Sequence, residues 1–123
     1  PQVAIIGCGP LLYQSLLAAK VLESLKIGSI VLDSHTIKPL DEEGILSVVK
    51  KCGAVVSVEE HQVIGGLGGA IAELLAKKMP TPMEFIGMQD TFGESGKPRE
   101  LIEKYGMGKD SIKQAVKKVI ARK

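Results

Sequence analysis

The run Val3–Cys8 (VAIIGC), closed by Gly9-Pro10 and followed by a helical pattern from about Leu11 to Lys26, decides the fold. A short apolar run without polar alternation reads as a strand covered on both faces. Gly28 stands where a glycine just past a helix belongs. The pattern then repeats. Ser29–Asp33 (SIVLD) is a second strand, Pro39 stops its extension, and Asp41 is suited to cap a helix running through Lys51. That helix carries the stripe Ile45, Val48, Val49 and Cys52, spaced for one helical face. Ala54–Val58 (AVVSV) is a third strand. A helix from about Gly68 to Lys78 buries Leu67, Ile71, Leu74 and Leu75. Pro80 and Pro82 break it ahead of a fourth strand, Met83–Gly87. In the tail, Pro98 suits a first helical turn, and Leu101, Ile102 and Tyr105 form a short stripe ended by Gly106. Asp110 can cap a last helix whose apolar face is Ile112, Ala115, Val116, Val119 and Ile120.

Strands alternating with helices predict right-handed crossovers and an α/β fold in three layers, α/β/α, with a mostly parallel sheet of four to five strands. The 123 residues fit a single domain, 1–123. A 45% hydrophobic share against 24% charged residues excludes a disordered chain. No apolar run approaches the roughly 20 residues that span a bilayer, and no basic segment precedes an apolar one as in a secretory signal. A net charge of +2, with two Tyr, two Phe and no Trp, offers neither a basic excess nor a stacking platform for nucleic acid. The cations Lys113, Lys117, Lys118, Arg122 and Lys123 read as a solvated helix face near a negative dipole end. Cys8 and Cys52, with no C-x-x-C, read as small buried hydrophobes, free thiols of a reducing cytoplasm.

Three places could carry chemistry. Gly7-Cys8-Gly9-Pro10-Leu11-Leu12, with Asp33 ending the next strand, imitates the dinucleotide fingerprint. Leu12 stands where that fingerprint needs Gly or Ala, and Pro10 removes a backbone donor, so the segment reads as a tight strand-to-helix turn. Glu59, Glu60 and His61 fall just after the third strand, at the carboxyl edge where open α/β sheets bind ligands. Gly65, Gly66 and Gly68 follow and lead into a helix whose free N–H groups could hold an anion. These six residues form a candidate anion edge, or polar groups that cap the helix or meet a neighbouring domain. Asp33-Ser34-His35-Thr36 holds an acid, a hydroxyl and an imidazole, but successive extended residues point to opposite sides, and no G-x-S-x-G elbow is present.

Taken together, several segments resemble one family. They are the first strand and helix, Ile30–Asp41 (IVLDSHTIKPLD), Val56–His61 (VSVEEH), Gly65–Gly68 (GGLG), Phe92–Pro98 (FGESGKP), and Leu101 with Tyr105-Gly106. In order and spacing, over nearly the whole chain, they are similar to the C-terminal domain of transketolase. The TIKPLD element is shared with deoxyxylulose-phosphate synthase and the beta chain of the pyruvate dehydrogenase decarboxylase component.

The resemblance implies a parent that moves a two-carbon ketol unit between sugar phosphates, as in the pentose phosphate pathway. Its cofactors would be thiamine diphosphate and a divalent metal, Mg or Ca, held by other domains. It implies no catalytic, cofactor-binding or metal-binding residue in this chain, which would be a structural domain of a cytoplasmic homodimer. Its partners would be the remaining domains or an N-terminal subunit, with neither nucleic acid nor membrane involved. The family's sheet has five strands, the antiparallel one upstream of Val3, elsewhere in a longer polypeptide or a larger subunit. A sheet lacking it exposes an edge that invites pairing. A different class of reading is a stand-alone nucleotide or anion binder built on Gly7–Leu12 or Gly65–Gly69. For the Glu59–His61 edge the expectation is contact with the rest of the parent, so that Glu59→Ala weakens assembly more than the domain's own fold.

Overall fold

The computed structural model describes residues 1–7, 11–33, 41–60, 66–88 and 109–123. In chain order its elements are β1 (Val3–Gly7), α1 (Leu11–Ser24), β2 (Ser29–Asp33), α2 (Glu42–Cys52), β3 (Val55–Glu60), α3 (Leu67–Lys78), β4 (Met83–Met88) and α4 (Lys109–Ala121). The four strands form one parallel sheet in the order β2-β1-β3-β4. The fifth, antiparallel strand has no counterpart among the described residues. Gly7 stands opposite Asp33 on one side and Val58 on the other, so β1 is central and its carboxyl end is flanked by both neighbours.

Strand alternation sorts the core into two layers. Val3 and Ile5 of β1, Val56 and Val58 of β3 and Ile86 of β4 meet Ala18 and Leu22 of α1 and Ile112, Val116 and Val119 of α4. The intervening residues Ala4, Ile6, Val55 and Met83 meet Ile45, Val49 and Cys52 of α2 and Leu67, Ile71, Leu74 and Leu75 of α3. Helices therefore cover both faces, and β1 is buried along its whole length, as its unbroken apolar run requires.

Local chemistry sets most element ends. Asp41 caps α2: its Oδ1 accepts from the Gly44 N–H at 3.1 Å, with Glu42 and Glu43 in the first turn and Lys50 and Lys51 in the last. This places charge of each sign at the dipole end that favours it. Gly53 ends α2 at φ 77, a left-handed conformation that glycine adopts without steric cost.

Helix α1 departs from the sequence reading. It stops at Ser24, and the left-handed residue is Lys26, at φ 63, not the expected Gly28. The Ile27 N–H donates to the Leu22 carbonyl and the Lys26 N–H to the Glu23 carbonyl, both at 2.9 Å. This pair is the Schellman closure, which needs a positive φ at the penultimate position. Gly28 serves another purpose: its carbonyl accepts from the Gln2 N–H at 2.8 Å. Two further boundaries move. Helix α4 begins at Lys109, which puts Asp110 inside its first turn. Strand β3 runs from Val55 to Glu60, so Glu59 and Glu60 lie within the strand and not after it. The expected short helix around Leu101 and Tyr105 lies outside the described residues.

At the amino end of the sheet, the Lys123 ammonium donates to the Cys52 carbonyl at 2.8 Å and the Gln2 carbonyl at 3.1 Å. It ties the last helix to the end of α2 and the start of β1. Glu84 of β4 pairs with Arg122 and, at 3.6 Å, with Lys118.

Candidate functional site

In an open α/β sheet the ligand crevice lies beyond the carboxyl ends of the strands, where successive connections leave on opposite faces. Here that point falls between β1 and β3, because β1 leads to α1 on one face and β3 to α3 on the other. Gly7, Ser15, Ser57 and Glu59 gather around it. A Cβ on Gly7 would lie 3.2 Å from the Val58 carbonyl oxygen and 3.5 Å from the Ser15 Oγ. Gly7 is thus matched to close strand packing.

Glu59 is the decisive residue. It is 1% exposed, and its Oε2 accepts from the N–H groups of Leu67 at 2.8 Å and Gly68 at 3.2 Å. These are the first two residues of α3. Gly66, at the N-cap position, has no side chain to cap with, and the first turn of α3 carries no acid. A carboxylate from the neighbouring strand therefore does for α3 what Asp41 does locally for α2. It fills orphan amides and meets the positive end of the helix dipole.

Of the six candidate edge residues, the structure brings together Glu59, Gly66 and Gly68. Glu60 takes the last position of β3, and its side chain lies outside what the structure describes. His61 and Gly65 lie outside the described residues, as do Cys8, Gly9, Pro10 and Ser34-His35-Thr36. Gly68 is needed for packing. A Cβ there would stand 2.8 Å from the Phe85 ring and 3.0 Å from the Ser57 Oγ.

The sequence reading passed over Ser57 and Phe85. The Ser57 hydroxyl is fully buried and has no hydrogen-bond partner among the described residues. Phe85 is half-exposed against the first turn of α3. A signal for the Glu59 contact was present: an acid near the end of a strand, ahead of a glycine-led helix that lacks any acid of its own. Cys52 is a buried free thiol. Burial pushes its pKa up, against a smaller downward pull from the N-terminal ammonium, Lys123 and Lys51. Among the described residues no three His, Cys, Asp or Glu side chains converge as a metal site would require. No described helix is long and apolar enough to cross a membrane.

Comparison with known proteins bears on this geometry. The family profile described as "Transketolase, C-terminal domain" matches residues 1–112. The chain is 44% identical over 122 residues to a 6-deoxy-6-sulfo-D-fructose transketolase subunit of Clostridium sp. (strain MSTE9), covering 99% of this chain and 38% of that protein. It is 37% identical over 116 residues to the 1-deoxy-D-xylulose-5-phosphate synthase of Caldanaerobacter subterraneus subsp. tengcongensis, covering 94% of this chain and 19% of that one. A solved structure described as a split gene transketolase, an inactive beta4 tetramer, superposes with a TM-score of 0.87 at 42% identity, over 98% of this chain and 39% of that chain. The chain thus spans well under half the length of each of these relatives.

Proposed function

This chain belongs to the family of transketolase C-terminal domains, and from that premise we propose that it is the assembly domain of a thiamine-diphosphate-dependent transketolase. The parent would move a two-carbon ketol unit between sugar phosphates, in the cytoplasm and as a homodimer. Its reaction centre would be built by the remaining domains or by an N-terminal subunit. The likeness to the synthase leaves a second reading, in which the parent is a deoxyxylulose-phosphate synthase.

The observation that carries the assembly role is the state of the crevice. The α3 amides that could hold a phosphate are taken by Glu59, and the described donor set does not suit a diphosphate with its metal. No step of the reaction is therefore assigned to these residues. When bound by the parent, thiamine diphosphate would supply the carbanion chemistry of ketol transfer.

Two features support a role in assembly. Strand β2 is half-buried throughout and, among the described residues, pairs only with β1. Pro1 lies against Gly28, just ahead of that strand. A groove lined by Leu16, Ala19, Lys20, Glu23, Gly28 and Ser29 runs beside it, and Leu16 is half-exposed there.

The test is reconstitution. The chain alone, with ribose 5-phosphate, xylulose 5-phosphate, thiamine diphosphate and Mg²⁺, should show no turnover and a flat calorimetric titration with the cofactor. Joined to the rest of its parent it should support ketol transfer. Turnover by the chain alone would overturn the assembly reading. Reaction of the complete parent with pyruvate and glyceraldehyde 3-phosphate, in place of the sugar phosphates, would favour the synthase.

A further inference from the structure

A helix N-terminus that ends bare at the carboxyl edge of a sheet is the usual seat of a ligand's anionic group, since its N–H groups and dipole both favour negative charge. The start of α3 has the required form. Gly66 and Gly68 bring no side chain to block approach, and the Leu67 and Gly68 amides converge on one oxygen. That oxygen belongs to the protein. A second observation points to the same place. The Ser57 hydroxyl, on the face of β3 that also carries Glu59, is completely buried and lacks a partner among the described residues. It lies 3.0 Å from where a Gly68 Cβ would stand, directly beneath the first turn of α3. Buried hydroxyls are rarely left without a partner, and this one stands against the helix turn whose amides already hold an anion.

We propose that Glu59 is an intramolecular ligand, its carboxylate occupying a small anion seat made by the Leu67 and Gly68 N–H groups, and that this seat accepts a free carboxylate once the side chain is cut back. The native domain is thereby closed to external phosphates and nucleotides at the point where its fold would otherwise take them. Glu59→Ala removes the terminal CH₂–COO⁻, the size and charge of acetate. The vacated volume, the amide pair and the dipole then favour that anion. The inference stands on the geometry of this chain and does not depend on which parent enzyme the domain serves.

The experiment follows melting of the wild-type chain, Glu59→Ala and Glu59→Gln in acetate and in chloride at equal ionic strength, with inorganic phosphate as a further probe. Backbone amide resonances of Leu67 and Gly68 report the site directly. Glu59→Ala should melt lower than wild type in chloride and recover saturably in acetate, by about 5 °C at tenfold excess over the dissociation constant. The two amides should shift along the same curve. Wild type and Glu59→Gln, which both keep an acceptor in place, should show no saturable response to acetate or phosphate. If Glu59→Ala does not fold in chloride, recovery of its folded spectrum in acetate supports the seat, and failure to recover overturns it. Equal acetate responses in all three chains, unmoved amides in a folded Glu59→Ala, or phosphate bound by wild type at those amides would each overturn it too.

Discussion

Gly68→Ala sets two effects of known size against each other. Alanine is favoured over glycine inside a helix by about 1 kcal/mol. At this position the added methyl would stand 2.8 Å from the Phe85 ring and 3.0 Å from the Ser57 hydroxyl, well inside ordinary carbon contact. Phe85 is 52% exposed, so the ring can swing outward, but only by giving up its contact with α3. Overpacking of this kind costs about 2 kcal/mol. The net expectation is a loss of about 1 kcal/mol.

At roughly 2.1 cal/mol/K of unfolding entropy per residue over a chain of this length, that is a fall of about 4 °C in Tm. Gly69 is the control. It has nothing within 4 Å of its would-be Cβ, so Gly69→Ala should gain close to the full propensity term and raise the Tm. In a Phe85→Ala background, Gly68→Ala should turn neutral or stabilising, a coupling of about 2 kcal/mol in a double-mutant cycle. Urea unfolding followed by circular dichroism measures the wild type, the three single variants and the double variant. If Gly68→Ala stabilises the wild type as much as Gly69→Ala does, or the cycle shows no coupling, the packing argument fails.

Three further outcomes follow. Glu59→Ala strands two amides at a buried helix start and should cost the isolated domain about 3 kcal/mol, whereas Glu59→Gln should cost less than half as much; chemical denaturation separates them, and equal losses would refute the role of the charge. Lys26→Gly removes the left-handed strain of a residue with a Cβ at the end of α1 and should raise stability by about 1 kcal/mol in the same assay. The raised Cys52 pKa means that the folded state favours the neutral thiol. Its contribution is therefore complete below the ordinary thiol pKa and is lost as pH climbs through the higher folded value. Cys52→Ser should flatten the alkaline decline of stability, and Cys52 in the native chain should react with iodoacetamide only as fast as the domain opens.

The Glu59 geometry also changes the outcome expected from sequence for Glu59→Ala. A carboxylate 1% exposed and bonded to two amides of its own domain acts first on that domain's stability. An effect on assembly would come in addition, and the isolated chain and the reconstituted parent, measured side by side, distinguish the two.

What could be read from the residues alone is what short-range physics controls. Apolar runs announced the four strands, and i, i+3, i+4 stripes announced the helices between them. Asp41 declared its cap because a cap and its amides lie three residues apart. The resemblance to transketolase C-terminal domains was equally a matter of local segments in order. Only tertiary structure decided the order β2-β1-β3-β4, which turns on the face each crossover takes. The end of α1 at a left-handed lysine was settled there too, because closing onto Leu22 and Glu23 outweighs the strain at Lys26. The fate of Glu59 was decided in the same way. Composition showed an acid near a glycine-led helix, but whether that acid faced solvent, a partner or the helix itself depended on strand alternation and on how β3 and α3 pack. Those are long-range contacts, and no spacing along the chain encodes them.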